Sequence, residues 1–215
     1  MYFNQIFIIA ILFFLYNIII KEFNYHNNKC TVSRNILLNN NYTNVSASYE
    51  SIINKYIRAS IIWPIWNKIK FRPNMTAQDL QVFSCFMNPK NVYFEYGSGG
   101  STNLASYYKV KTYTVDSDIN WHKKLKNNGI KVNYITIDLN ASFFGYPGEN
   151  TNLDDWKKYI QAYKKEYNAD IILIDGRFRV ACILDLFSKI RNDTIILFHD
   201  YVYRRKYHII ENFFI

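Results

Sequence analysis

A glycine-rich turn after a short apolar segment is the strongest chemical signal in this sequence. Residues 92–102 read VYFEYGSGGST, passing from β-forming residues through an acid into glycines, and residues 101–108 have a helical pattern. Glycine lets the backbone reach positive φ and approach a ligand closely, and a helix N-terminus offers free N–H groups. The order strand, glycine turn and helix therefore predicts a nucleotide-binding loop.

Polar residues close each later strand of the predicted fold. Strands are predicted at residues 92–96, 112–116, 132–138, 171–175 and 194–199, and helices between them at 101–108, 119–127, 153–167 and 179–190, with a last one at 203–213. Strands that alternate with helices indicate right-handed crossovers and a parallel sheet. Ligands bind at the carboxyl ends of such strands. The residues brought there are Asp116, Asp118, Asp138, Asp175, Arg177, His199 and Asp200.

Two acids after the second predicted strand have different expected roles. Asp116 lies 19 residues after Gly97, where a carboxylate can accept hydrogen bonds from both hydroxyls of a ribose. Asp118 directly precedes a predicted helix, so capping that helix suits it better than contacting a ligand. Trp121 could stack on an adenine, but in a chain with 18% aromatic residues core packing is the favoured role.

Charged residues after the fourth and fifth strands could act on a substrate. Arg177 and Arg179 suit recognition of carboxylate or phosphate, or one of them pairs with Asp175 or Asp200 to hold the loop. Histidine titrates near neutrality, so His199 with Asp200 fits a general base with its orienting acid. A structural histidine at a strand end fits the same pattern, and both alternatives stay open.

From about residue 75 onward the chain resembles the class I S-adenosylmethionine-dependent methyltransferases. The words EYGSGGST, VDSDxxW, GYP, IDGRFRVAC and HDYxxR are similar to a membrane-associated or uncharacterised methyltransferase-like branch. The resemblance implies an α/β fold: a Rossmann-like doubly wound sheet, mostly parallel, with at least five strands and flanking helices. It also implies methyl transfer from S-adenosyl-L-methionine. The arginines suggest an anionic or glycan acceptor.

The resemblance also implies a role for each residue of these motifs. Glu95 would support the glycine loop or the amino group of the cofactor, Asp138 would lie near the adenine, and Asp175 near the methyl group. The implied cofactor-binding residues are Glu95, Gly97, Ser98, Gly99, Gly100, Ser101, Thr102, Asp116 and Asp138. The implied catalytic residues are Asp175, His199 and Asp200, the substrate-binding ones are Arg177 and Arg179, and no metal ligand is expected.

Other functions fit parts of the pattern. The family has two further strands after the fifth, whereas this sequence ends at Ile215, which predicts an exposed sheet edge and keeps a non-catalytic methyltransferase-like protein as an alternative. A glycosyltransferase would use Asp116 and Asp118 on a metal, but the glycine loop has no role there. A nicotinamide-dependent dehydrogenase needs a small residue near Thr102.

The N-terminal region has a different character from the rest. Residues 1–21 are almost continuously apolar and predict a transmembrane anchor, residues 22–48 a polar linker, residues 49–90 N-terminal helices and residues 91–215 the Rossmann-like domain, possibly truncated. Lysines and an arginine after the span favour a cytosolic domain, whereas sequons at Asn41, Asn44, Asn74, Asn140 and Asn192 favour a lumenal one. The compartment and orientation stay open.

Charge and cysteines limit the remaining classes of function. The net charge of +9 contains no run of five like charges, so a solvated lysine-rich surface is favoured over nucleic-acid binding. The three cysteines form no CxxC pair, which excludes a metal knuckle, and their odd number makes a disulfide framework an unfavoured reading. Cys85 and Cys182 lie in apolar helical patterns and are predicted to be small buried hydrophobes. The oligomeric state cannot be read from the sequence.

Overall fold

The computed structural model describes residues 9–10, 23–25, 28–30, 68–140, 152–202 and 204–213. The strands in this part of the chain are β1 (Ile9–Ala10), β2 (Phe23–Tyr25), β3 (Asn28–Cys30), β4 (Val92–Tyr96), β5 (Lys111–Asp116), β6 (Asn133–Thr136), β7 (Ile171–Ile174) and β8 (Ile195–Phe198). The α-helices are α1 (Ala77–Cys85), α2 (Gly100–Tyr107), α3 (Ile119–Asn127), α4 (Leu153–Ile160) and α5 (Arg179–Leu186). Two 3₁₀ segments cover Lys165–Tyr167 and Arg205–Phe213.

Five strands form the parallel sheet that the sequence predicts. Their order is β6-β5-β4-β7-β8, and every neighbouring pair runs parallel. Within these five strands the chain runs from the central strand β4 outward through β5 to β6, and then crosses back to β7 and β8. This is the doubly wound order of a Rossmann-like α/β fold, with the topological switch point between β4 and β7.

The sheet is covered on both faces, as its apolar strands require. Successive residues of a strand point to opposite faces, and the neighbours Tyr93 and Phe94 belong to two different hydrophobic clusters. All four residues of β7 are buried. Because β7 has no polar face, it can lie only in the interior of a sheet with helices on both sides.

Local sequence signals account for the helix starts. Thr76 caps α1: its hydroxyl accepts from the Asp79 N–H, and the Asp79 carboxylate accepts from the Thr76 N–H, both at 3.2 Å. Asp118 caps α3 by accepting from the N–H groups of Asn120 and Trp121 at 2.8 and 3.0 Å. The helix-capping role predicted for Asp118 is therefore confirmed.

Three predicted helices differ from the observed ones. The helix predicted over residues 153–167 ends at Ile160, because the Ile160 carbonyl accepts from the Tyr96 hydroxyl at 2.7 Å instead of from a following helix N–H. The helix predicted over residues 203–213 is the 3₁₀ segment Arg205–Phe213. The helix predicted over residues 179–190 is α5, which likewise ends earlier, at Leu186.

The N-terminal predictions fall mostly outside the described residues. Within the predicted anchor, residues 1–21, the structure describes only β1, which is a strand rather than the predicted helix and pairs parallel with the edge strand β8. The edge expected to be exposed is therefore paired over two residues. The predicted linker contains the antiparallel pair β2 and β3. The first part of the predicted N-terminal helices, residues 49–67, and the GYP motif lie outside the described residues.

Among the helices that the structure describes, none combines the length and the apolar character needed to cross a membrane. Membrane attachment through residues 1–21 stays a prediction.

The cysteine prediction was wrong at one position. Cys85 is disulfide-bonded, and Cys182 is a free, buried thiol whose Sγ lies 3.3 Å from the Arg177 carbonyl oxygen. An odd number of cysteines excludes a bridge at only one of them, and here the buried Cys182 is the one left over.

Candidate functional site

A cavity of about 350 Å³ opens at the carboxyl ends of β4, β5 and β7. This is the topological switch point, where ligands bind in doubly wound sheets, and the volume is within the range of small-molecule sites. Its walls combine the glycine turn after β4, the acid that ends β5, the turn after β7 and the segment before α1. The lining residues are Arg72, Pro73, Asn74, Met75, Gly97, Ser98, Gly99, Gly100, Ser101, Asp116, Trp121, Tyr159, Asp175, Gly176 and Arg177.

The glycine turn is packed directly against neighbouring backbone. Gly97 has φ +97°, and a Cβ there would lie 2.8 Å from the Gly176 nitrogen and 2.9 Å from the Asp175 carbonyl carbon. A Cβ on Gly100 would overlap the Arg72 carbonyl group. Gly99 is extended and has open space at its Cβ position. Two of the three glycines in this turn are therefore required for packing.

Glu95 lies beneath the turn rather than in the cavity. It is fully buried and accepts from the hydroxyls of Tyr93 and Ser101, both at 2.7 Å, and from the Thr102 hydroxyl. The Thr102 oxygen in turn accepts from the Gly99 N–H at 2.7 Å. Burial raises the pKa of Glu95 to about 7, against these hydrogen bonds. Of the two roles expected for Glu95, the structure places it where it supports the loop.

Asp116 forms the cavity wall opposite the end of β4. Its Oδ2 accepts from the Ser98 N–H at 2.8 Å, and its Oδ1 accepts from the Asp118 N–H at 3.0 Å. Burial raises the pKa of Asp116, whereas these backbone donors and the charge of Arg177 lower it. The Ser117 backbone is a third donor to this carboxylate, so one of its four acceptor sites remains for a ligand hydroxyl.

Asp138 is not brought to the cavity. Its side chain is exposed, and its Oδ1 accepts from the Asn140 N–H at 2.7 Å in the turn after β6. The adjoining residues 141–151 lie outside the described part of the chain. The adenine contact expected of Asp138 stays a prediction.

Arg179 joins the turns after β7 and β8. Its Nε donates to the Gly176 carbonyl, its Nη1 to the His199 carbonyl and the Asp200 carboxylate, and its Nη2 to the Asp175 carbonyl, at 2.7 to 3.2 Å. Nη2 also lies 2.8 Å from Asp175 Oδ1. A guanidinium has five N–H groups, and these contacts use all five. The loop-holding role weighed for one arginine is the one that this geometry favours for Arg179.

His199 and the two neighbouring acids form one charged cluster with Arg179. The Nδ1 atom of His199 lies 2.8 Å from Asp175 Oδ1 and 3.7 Å from Asp200 Oδ1. Burial lowers the pKa of His199, but the hydrogen bond and charge of Asp175, with the charge of Asp200, outweigh it and raise the pKa. Of the three residues predicted to be catalytic, Asp175 lines the cavity, and His199 and Asp200 lie directly behind it.

The same cluster is the one place in the described residues where side chains could hold a metal. One ligand atom each of Asp175, His199 and Asp200 lies within 4.8 Å of the others. The Arg179 guanidinium is, however, paired with both carboxylates, at 2.8 and 3.2 Å. The positively charged guanidinium of Arg179 therefore already lies between these two carboxylates.

Several residues of the cavity were either not identified from the sequence or were expected elsewhere. The segment 72–75 closes one wall, and the Tyr159 hydroxyl on α4 accepts from the Arg177 N–H at 3.1 Å. Trp121, expected in the core, lines the cavity, and its Nε1 donates to the Ser98 carbonyl at 2.8 Å. A Cβ on Gly176 would overlap the Tyr159 hydroxyl. Trp121 and Gly176 had a signal in the sequence: Trp121 as the weighed adenine contact, and Gly176 through its position in the turn after a buried strand.

A solved structure is similar to part of this chain. No family model matches the chain, and no curated protein matches it. The crystal structure of a methyltransferase-like protein from Silicibacter pomeroyi is similar to this chain, with 28% sequence identity and a TM-score of 0.48. The match covers 62% of this chain and 75% of that one.

The glycine packing predicts a large difference between two similar substitutions. Gly97→Ala should lower the free energy of unfolding by about 2–4 kcal/mol, because it combines strain at positive φ with overlap on the Gly176 backbone. Gly99→Ala, with an extended backbone and open space, should change it by less than about 1 kcal/mol. Urea denaturation of both variants measures this, and equal effects would contradict the described turn.

Glu95 predicts a pH dependence of stability. Its pKa is raised to about 7 in the folded chain, so between its ordinary pKa and pH 7 the folded state holds a proton that the unfolded state releases. The free energy of unfolding should therefore fall as pH rises through this window. Glu95→Gln should flatten the dependence, and the exposed control Glu166→Gln should keep it. Denaturation between pH 4.5 and 7.5 decides the matter, and an unchanged slope in Glu95→Gln would refute it.

Proposed function

We propose that this chain binds S-adenosylmethionine and transfers its methyl group to an acceptor. The observation that carries the proposal is the joint between the glycine turn and Asp116, where the Ser98 N–H donates to Asp116 Oδ2 at 2.8 Å. This joint puts the backbone of the glycine turn beside an acid with a free acceptor site, in one cavity at the switch point. A nucleoside joined to an amino acid needs both features.

The residues present fit such a cofactor. Residues 97–101 line the cavity and the Cβ position of Gly99 is open, so the turn can present backbone that would hold the methionine part. Asp116 would hold a ribose hydroxyl on the acceptor site left by its backbone contacts. Trp121 lines the same cavity and offers a flat apolar surface. When bound, the cofactor supplies an electrophilic methyl group.

The competing enzyme classes fit the geometry less well. A dehydrogenase needs a small residue near Thr102, but the Thr102 hydroxyl bridges Glu95 and the Gly99 N–H beneath the turn. A glycosyltransferase would need Asp118 on a metal, whereas Asp118 caps α3. Binding of the cofactor without catalysis remains the alternative, because nothing in the glycine turn requires turnover.

The acceptor side of the cavity supports an anionic substrate. Arg177 lines the cavity, and its backbone is held by the Tyr159 hydroxyl. Asp175 lines it too, oriented by His199 and Arg179 behind it. We propose that Arg177 binds the acceptor and that Asp175 with His199 takes up the acceptor's proton. Methyl transfer depends strongly on positioning, so an already ionised acceptor would need no base.

Binding of S-adenosylhomocysteine, the product form of the cofactor, tests the proposal by calorimetry. The unmodified protein should bind it at micromolar concentration, and Asp116→Asn should weaken binding at least about tenfold, because the ribose hydroxyls lose a charged acceptor. Asp118→Asn is the matched control, since asparagine also caps a helix, and should bind like the unmodified protein.

Three other outcomes would count against the proposal. Binding of a nucleotide sugar with manganese instead of S-adenosylhomocysteine would favour a glycosyltransferase. Equal losses in Asp116→Asn and Asp118→Asn would place the ligand elsewhere. Binding of none of these ligands would refute the cofactor assignment.

A further inference from the structure

A buried histidine outside the proposed machinery contacts the glycine turn from below. His122 on α3 is 1% exposed and makes hydrogen bonds through both ring nitrogens. Its Nε2 lies 2.7 Å from the Ser98 Oγ, and its Nδ1 lies 2.6 Å from the Thr136 Oγ1 at the end of β6. Its ring edge also packs on Tyr134, with centroids 4.8 Å apart. The imidazole therefore bridges the turn after β4 and the end of β6.

The hydroxyl groups around this bridge determine where its protons lie. Thr114 hydrogen-bonds the Glu95 carboxylate, and its oxygen lies 2.6 Å from Ser98 Oγ. A hydroxyl has one hydrogen. If that of Thr114 points to Glu95, then that of Ser98 must point to Thr114, and the hydrogen between Ser98 and His122 must come from the imidazole Nε2.

The other ring nitrogen of His122, Nδ1, must then accept a hydrogen bond. In a neutral imidazole one nitrogen donates and the other accepts, so Nδ1 accepts from the Thr136 hydroxyl. Burial and the neighbouring charge of Lys126 lower the pKa of His122 to about 4, whereas the charge of Asp118 raises it. The ring is thus neutral at physiological pH, and the chain of donors runs in one direction from Thr136 to Glu95.

We propose that His122, as the Nε2–H tautomer, is a positioning residue that holds Ser98 and with it the cofactor-binding turn. Ser98 is the residue whose N–H contacts Asp116 and whose carbonyl accepts from Trp121. Fixing its side chain from below therefore fixes the two contacts, with Asp116 and with Trp121, that shape the cavity. The inference rests on the proposed function for its effect on ligand binding, but not for its effect on the turn.

Two substitutions separate the two halves of the bridge. The amide nitrogen of glutamine can reach the Nε2 position and keep the contact with Ser98, whereas the shorter asparagine can keep only the contact with Thr136. His122→Gln should bind S-adenosylhomocysteine within about threefold of the unmodified protein. His122→Asn should bind about fivefold more weakly, the usual worth of one hydrogen bond.

A second measurement needs no ligand. Hydrogen exchange at the amides of residues 97–100 should be faster in His122→Asn and in Ser98→Ala, but not in His122→Gln, with the amides of α5 as reference. Nitrogen chemical shifts of His122 should show the Nε2–H tautomer. If the unmodified protein does not bind S-adenosylhomocysteine, the cofactor assignment is refuted. The pattern of hydrogen exchange at residues 97–100 still decides the role of His122.

Other outcomes would overturn the inference itself. Equal exchange at residues 97–100 in the glutamine and asparagine variants would reduce His122 to a packing residue. An Nδ1–H tautomer would contradict the direction of the donor chain. A variant that does not fold is replaced by Ser98→Ala, which removes the same contact from the other side and should show the faster exchange.

Discussion

The close contact between two turns, at Gly97 and Gly176, is the constraint on which the site depends. Their backbones meet without any intervening side chain, and a Cβ on either glycine would lie within 2.9 Å of the other's backbone. Since one turn follows β4 and the other follows β7, the contact closes the switch point at its base. The cavity can form above it only because both positions are glycine.

A polar layer beneath the glycine turn keeps that contact in register. In the described part of the chain, hydroxyl groups and not a basic side chain satisfy the oxygens of the buried Glu95. Those hydroxyls extend through Thr114 and Ser98 to His122 and so tie β4, β5 and α3 together. Burying polar groups is costly unless they are fully paired, so this layer is more sensitive to substitution than its distance from the cavity suggests.

Much of the fold follows from patterns in the sequence. The strand predicted at residues 92–96 and the helix predicted at 119–127 match β4 and α3, because apolar runs and an Asp cap specify them locally. The strand ends also place Asp116 and Asp175 at one edge. What the sequence does not contain is the direction of each side chain. Arg179 was expected to face a substrate, but its donors are taken by carbonyls from two other turns.

The missed parts of the site share this cause. His122 carries no motif, and its role arises from two hydroxyl groups that lie 24 and 14 residues away in sequence. The segment 72–75 packs its backbone at Arg72 and Pro73 against Gly100, and a backbone contact leaves no residue-type signal. Long-range partners of this kind are visible only in the folded chain.

A crystal structure of the chain with S-adenosylhomocysteine tests the central claim most directly. The account predicts the amino-acid part of the ligand along the backbone of residues 97–101, with the ribose hydroxyls on Asp116. A ligand bound away from the turn, or with its ribose away from Asp116, would contradict it.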